Sequence, residues 1–542
     1  MKRRQCLLFI VMCCITIAGS GASQYLPHPD AKTEFDKGRA ALKIGYTTGA
    51  LQSFRKALEL DPDYVDALTQ LVTTAKAMAN RSDPASWQRI LAGETTLRAV
   101  SALYTAKAAL APKSAVYQWA LGLLDNSQTQ EAAERYFRKA VALDAGFAKG
   151  YQSLASTLIY RGDIAGAREA FRKAHELQPD DLEMLAEYAR QVIEIDLPLC
   201  SKLTDGFIMQ FPRHASGADL LSRMSSFEGD LAVRIGMLER LKSLYSPIEY
   251  EVTEWYMRFL FDAYHRTDPP RALGLAQEMT TIIPAGSEAG RDWQEMAKYE
   301  QSMVIARTLM DRKSYKEAAD MLNKAELPYL ISPDPQALLQ AEAADMAGNT
   351  ARACQILTNA MAAQPSDALK PALAGYAAKL KKTPAQVEEE VWVARLKKAR
   401  MLKDFNLPGY RDGKRVRLSG YRGRVVLLTY WHPGDVNCRD DLPRLQKMLD
   451  KYGPQGLTVV TINVNPEEDA IAAVLMGRYG FVSLRAPYQE WALDVYKVDR
   501  APINFLIDRE GRALFMPTFW GFDPQHTFEL EVEAMLARKS KN

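Results

Sequence analysis

The stretch His432-Pro433-Gly434-Asp435-Val436-Asn437-Cys438 brings an imidazole, a carboxylate and a thiol together over a few residues. A cysteine does chemistry as its thiolate, so its neighbours matter: Asp435 is a like charge, and Arg439 an opposite one. The residues around them say where the thiol lies. Val425-Val426-Leu427-Leu428-Thr429-Tyr430-Trp431 is a run of strand formers without the polar interruptions of a solvated face, and reads as a buried strand. Residues 432–435 break it, and Leu442, Leu445, Met448 and Leu449 then share one face of a helix that starts near Cys438. The unpaired N–H groups and positive dipole end of such a helix favour a thiolate. The plainer alternative is structural: Asp435 caps the helix, His432 is a turn residue, and Cys438 is a packed side chain.

The turn resembles that of the thioredoxin-like proteins, in particular the secreted redoxin-type thiol–disulfide oxidoreductases of cytochrome maturation, which carry Phe-Trp-Ala-x-Trp-Cys-x-x-Cys-Arg-x-Glu-x-Pro. Trp431 matches the first tryptophan, Cys438 the second cysteine, Arg439 the arginine, Asp441 the acidic residue and Pro443 the helix proline. Asp435 stands where the family has its attacking cysteine. Downstream, residues 457–464 read as a second buried strand, and Arg500-Ala501-Pro502-Ile503-Asn504-Phe505 resembles the family's cis-proline loop and the strand after it. The resemblance implies that Pro502 is that cis-proline, and that Arg509-Glu510-Gly511-Arg512 turns a terminal hairpin. It spans residues 402–536, with Phe405-Asn406-Leu407-Pro408 as its leading segment. A likeness to peroxiredoxins is weaker. Their Pro-x-x-x-Thr-x-x-Cys would need a threonine where Asp435 stands, and Pro433 is too near Cys438.

The N-terminus has the character of an export signal: Lys2, Arg3 and Arg4, an apolar run over 7–18, then Gly19-Ser20-Gly21-Ala22-Ser23 as a cleavage zone. That run is shorter than the ~20 residues of a membrane span. A lipid anchor on Cys13 or Cys14 is the alternative. Cleavage after residue 23 would leave Cys200, Cys354 and Cys438 of the six cysteines, too few for a disulfide framework. An exported protein of the periplasm or cell envelope is expected, without a membrane span in its mature form.

The body of the chain repeats itself. Phe-Arg-Lys-Ala occurs at 54–57, 137–140 and 171–174, and Ala133 lies 34 residues before Ala167. Ala50, Phe54, Ala57 and Pro62 share their spacing with Ala167, Phe171, Ala174 and Pro179, and with Ala353, Leu357, Ala360 and Pro365. Small residues twelve positions earlier, Gly38, Ala155 and Ala341, let two antiparallel helices approach. This pattern resembles the tetratricopeptide repeat. A helical solenoid is therefore expected over 31–380, clearest at 31–64, 114–181 and 299–367, and degenerate between 181 and 298. Thr383-Pro384 should start a connecting helix, within 381–401, that runs to about Met401, before a thioredoxin-like domain at 402–538.

The fold class is thus multidomain: an all-α tetratricopeptide-repeat solenoid followed by an α/β thioredoxin-like domain. With 542 residues, 47% hydrophobic, and a net charge of +3, the composition is globular and carries no signature of nucleic-acid binding. No metal-ligand cluster, phosphate loop or Ser/His/Asp arrangement stands out, so neither cofactor nor metal is expected. The candidate site is Cys438, Asp435 and Pro502. Three functions fit. The domain uses its single cysteine for mixed-disulfide chemistry with a thiol-reductant partner. It is instead a redox-inactive module that binds an extended peptide along the cis-proline loop. Or the solenoid, holding a protein or peptide partner, is the working part and the domain orients it.

Overall fold

The computed structural model describes residues 25–79, 87–125, 130–193, 196–488, 491–497, 501–515 and 524–538. The expected export signal, with its three cysteines, lies outside them. Two compact units divide the chain, residues 1–126 with 131–153, and residues 154–542 with 127–130.

Helical hairpins form where the small–large spacing is strongest. Pro29–Lys43 pairs with Thr47–Leu60, Ala148–Tyr160 is followed by Ile164–Leu177, and Asp334–Met346 pairs with Thr350–Ala363. The second helix of each pair stops two residues before Pro62, Pro179 or Pro365, as expected of a residue that can neither donate an N–H nor follow a helical neighbour. Gly38 shows why a small residue is needed. A Cβ on it would lie 2.4 Å from the ring of Phe54, which is fully buried.

Between 181 and 298 the chain is helical too, from Leu182–Val192 through Glu251–Thr267 to Glu288–Asp311, which extends beyond it. The repeat spacing fades there because polar groups replace part of the apolar packing. Glu251–Thr267 buries Arg258, Asp262 and His265. Arg258 reaches Asp292 at 2.6 Å, the Trp293 indole N–H donates to Glu254 at 2.7 Å, and His265 Nδ1 lies 2.6 Å from Glu300. Cys200 and Cys354 are buried free thiols of the helical body, and burial pushes the former up to about 11.

The connecting helix has the expected start. Thr383 and Gln386 cap each other's backbone N–H in a capping box. It ends sooner than expected, at Leu396, and Arg400–Met401 is an edge strand, β1, paired with Arg512–Ala513, β8. The helix is given up because those backbone groups find partners in the sheet. Arg395, in the helix's last turn, is buried and donates to the Met361 and Ala362 carbonyls at the end of Thr350–Ala363, groups that a helix C-terminus leaves open.

Beyond it a small hairpin, β2 (Asn406–Pro408) and β3 (Arg415–Arg417), precedes the central strands. These are β4 (Val425–Trp431), β5 (Leu457–Asn463), β6 (Val482–Arg485) and β7 (Ile503–Ile507). The sheet order is β1-β8-β7-β4-β5-β6, with β4, β5 and β6 parallel and β7 and β8 antiparallel. Every residue of β4 is buried. One face packs with Val436–Tyr452 and Pro524–Leu536, and the other with Phe405, Leu407 and Trp491. The α/β domain expected after the solenoid is therefore present, built on the predicted strand.

Gly38→Ala weighs two effects. Alanine gains up to about 1 kcal/mol of helix propensity, but crowding a closed contact costs about 1–3 kcal/mol. Phe54 is fully buried, so its ring can yield only by disturbing its own packing; crowding wins, and the thermal unfolding midpoint by circular dichroism should fall, with partial recovery in Gly38→Ala/Phe54→Leu. A second prediction concerns Glu531, whose buried carboxyl is pushed up from an ordinary 4.5 to about 8, with Arg395 opposing. The folded state holds this proton and the unfolded state releases it, so the associated stability is present below about pH 4.5 and lost as pH rises through 8. Glu531→Gln should melt with wild type near pH 5 and above it at pH 9; parallel melting curves across that range would refute this.

Candidate functional site

The site is built where β4 ends. Strands β4 and β5 are parallel neighbours, so the loops leaving both emerge at one edge of the sheet. From β4 the chain turns through 432–435 into the helix Val436–Tyr452, which starts two residues before Cys438. Asp435 is its N-cap, and its Oδ1 accepts the Cys438 N–H at 2.8 Å. Asp435 is half-buried, whereas Cys438 is 1% exposed and belongs to the apolar cluster that also holds Trp431, Leu442 and Leu445. The thiol is pushed well above its ordinary range. Burial is the main cause; the Asp435 and Asp441 carboxylates add to it, and a hydrogen bond with the His432 backbone opposes it. Arg439, which from sequence could have drawn the pKa down, is engaged elsewhere: it donates to the Pro433 carbonyl at 2.6 Å and lies over the Tyr160 ring.

The geometry adds a residue that sequence reasoning missed. Glu468, in the loop after β5, accepts the Gly434 N–H at 2.7 Å and stands 3.8 Å from His432 Nδ1. His432 holds its carboxyl below the ordinary range, helped by the Gly434 bond and Arg439 against the opposing effect of burial. A Cβ on Gly434 would fall 2.5 Å from Glu468 Oε1, so glycine here allows the clamp to close. The available signal was Glu468's place just past a parallel strand adjacent to β4. Behind it, Asn463 donates to Tyr410 at 2.9 Å and Asp469 at 3.0 Å, tying the leading segment to the end of β5.

The Ala501–Pro502 peptide is cis. Tyr430 pairs with Ile503, so continuing that register sets Pro502 beside Trp431, on the strand adjacent to the turn. The fold therefore brings the ends of β4, β5 and β7 to one edge. Among the described residues, no group of three or more His, Cys, Asp or Glu side chains could hold a metal ion. Chemically, the turn offers a half-buried carboxylate in front and a protonated thiol behind it, with no second sulfur: Cys438 is the only cysteine beyond Cys354.

Comparison with known proteins finds repeats in the helical body and a separate domain after it. Residues 35–64 and 148–181 match the tetratricopeptide repeat, and residues 399–513 match the AhpC/TSA family. The thiol-disulfide oxidoreductase ResA of Bacillus subtilis (strain 168) is 31% identical over 110 residues, 20% of this chain and 60% of the relative. ResA of Geobacillus thermodenitrificans is 28% identical over 103 residues, 19% of this chain and 59% of that protein. This chain thus spans about three-fifths of the length of the curated relatives it matches. Among solved structures, a putative thiol:disulfide interchange protein DsbE from Chlorobium tepidum is 31% identical, with 26% of this chain and 95% of that one covered and a TM-score of 0.22. The chain therefore carries tetratricopeptide repeats at residues 35–64 and 148–181 and, at residues 399–513, a thioredoxin-like redoxin domain that matches the AhpC/TSA family.

Proposed function

We propose that this is an exported protein-binding protein in which the repeats recruit a protein or peptide partner and the redoxin domain is a thiol-silent module. The observation that carries the reading is the pairing of Asp435 with a buried Cys438. A dithiol cycle needs an exposed attacking thiolate and a second sulfur to resolve the mixed disulfide. Here the forward position holds a carboxylate that already caps the helix. The remaining thiol is 1% exposed and held protonated by burial and by two neighbouring carboxylates. The same features weigh against the mixed-disulfide route that the lone cysteine first suggested. Export rests on the character of the N-terminal sequence, and partner binding on the repeats.

Wild-type protein should not accelerate dithiothreitol-driven reduction of insulin; turnover that disappears in Cys438→Ser would overturn the reading. A partner retained from envelope extract should be retained equally by Cys438→Ser, whereas one released by dithiothreitol would restore the mixed-disulfide route. Asp435→Cys tests what separates the turn from an active one. Residues at an N-cap and three positions on lie within the ~4.4–6.8 Å Cα range that a disulfide spans. The variant should form an internal disulfide and gain reductase activity. The Cys438 pKa should fall with the like charge removed, and loss of the cap should cost about 0.5–2 kcal/mol of stability.

A further inference from the structure

Within the unit that starts at residue 154, the cysteine turn does not face open solvent alone. Tyr160 ends the helix Ala148–Tyr160, and its ring packs against the apolar cluster to which Cys438 and Trp431 belong. The Arg439 guanidinium, next to Cys438, lies 5.5 Å from the centre of that ring, within the range of a cation–π contact. Burial raises the Tyr160 hydroxyl above its ordinary pKa, and Glu468, the clamp of the turn, adds to the rise. Two residues on, Gly162 has a positive φ of 77° and would place a Cβ 2.8 Å from the Arg478 side chain. Glycine is favoured there by the backbone, and its missing side chain lets the exposed Arg478 lie against it. A third contact lies along the same helix of the domain, where the Arg444 guanidinium sits 4.4 Å from the centre of the Phe227 ring.

We propose that the hairpin turn at Tyr160–Asp163 is an intramolecular cover on the cysteine turn, seated by Tyr160 on Arg439 and by Gly162 against Arg478, which a ligand of the domain must displace. The cover follows from three arginines of the domain meeting two aromatic rings and a glycine of the helical repeats. It stands whether or not the domain turns over thiols. The seat that Tyr160 fills, flanked by a guanidinium and an apolar cluster, suits an aromatic side chain. The competing ligand is therefore a peptide that presents one.

The test is the rate at which a small maleimide labels each cysteine of the native full chain, read by peptide mass spectrometry. Labelling of a buried thiol reports the population of the open state. Tyr160→Ala should label Cys438 about tenfold faster, equivalent to about 1.4 kcal/mol less closing energy. Cys200 and Cys354, buried elsewhere in the helices, should keep their rates. Tyr160→Phe retains the ring and should stay within twofold of wild type. Arg478→Ala loosens the cover from the domain side without altering any helix of the repeats, so it should also speed Cys438 selectively even if Tyr160→Ala folds poorly. Cys438 rates within twofold of wild type in both Tyr160→Ala and Arg478→Ala, or equal acceleration of all three cysteines, would overturn the proposal.

Discussion

The hydrogen bond from the Cys438 N–H to the Asp435 carboxylate organises the end of the central strand. A helix that begins directly after a buried strand leaves its first N–H groups without partners, and something must satisfy them. In this chain a carboxylate does so from the position where the resemblance implies an attacking cysteine. The same choice gives the helix a firm start and adds negative charge beside the thiol. Local stability and thiolate formation are set against each other at one residue, and burial of Cys438 tips the balance further toward the thiol. Glu468 then fixes the loop in front, through a contact that only a glycine at 434 permits.

Arginine recurs where the redoxin domain meets the helices of its own compact unit. Arg395 closes the end of Thr350–Ala363 with two carbonyl bonds and lies 4.8 Å from the centre of the Phe515 ring, and Arg439 and Arg444 lie over Tyr160 and Phe227. A planar guanidinium can stack on an aromatic face while its N–H groups still donate in plane, which an ammonium does less well. Arg439 uses both capacities, one on Tyr160 and the other on the Pro433 carbonyl.

Features set by local periodicity could be read from the sequence. The spacing of Ala50, Phe54 and Pro62, the unbroken apolar run of β4 and the Thr383 cap each depend on residues a few positions apart. Their packing requirements show directly in residue type. What escaped depends on contacts distant in sequence. Arg400 and Met401 read as the tail of a helix, because nothing nearby reveals that Arg512 and Ala513 supply their hydrogen bonds. Glu468 lies 34 residues from the Gly434 N–H that it accepts. Tyr160 carried no signal of its own within the expected solenoid, since its partner lies far along the chain in a different kind of structure. The Asp-x-x-Cys turn itself stood out, but whether its carboxylate served as a cap or as a modulator of the thiol had to wait for the geometry, in which it does both.

The three described thiols, Cys200, Cys354 and Cys438, are all free and all buried. Once folded, the described part of the chain presents no ready sulfur to an oxidising environment and holds no disulfide for a reducing one to break. Its fold is held by helix packing, a mixed sheet core and buried polar pairs, none of which responds to redox potential. The described fold therefore depends on neither an oxidising nor a reducing environment for its integrity.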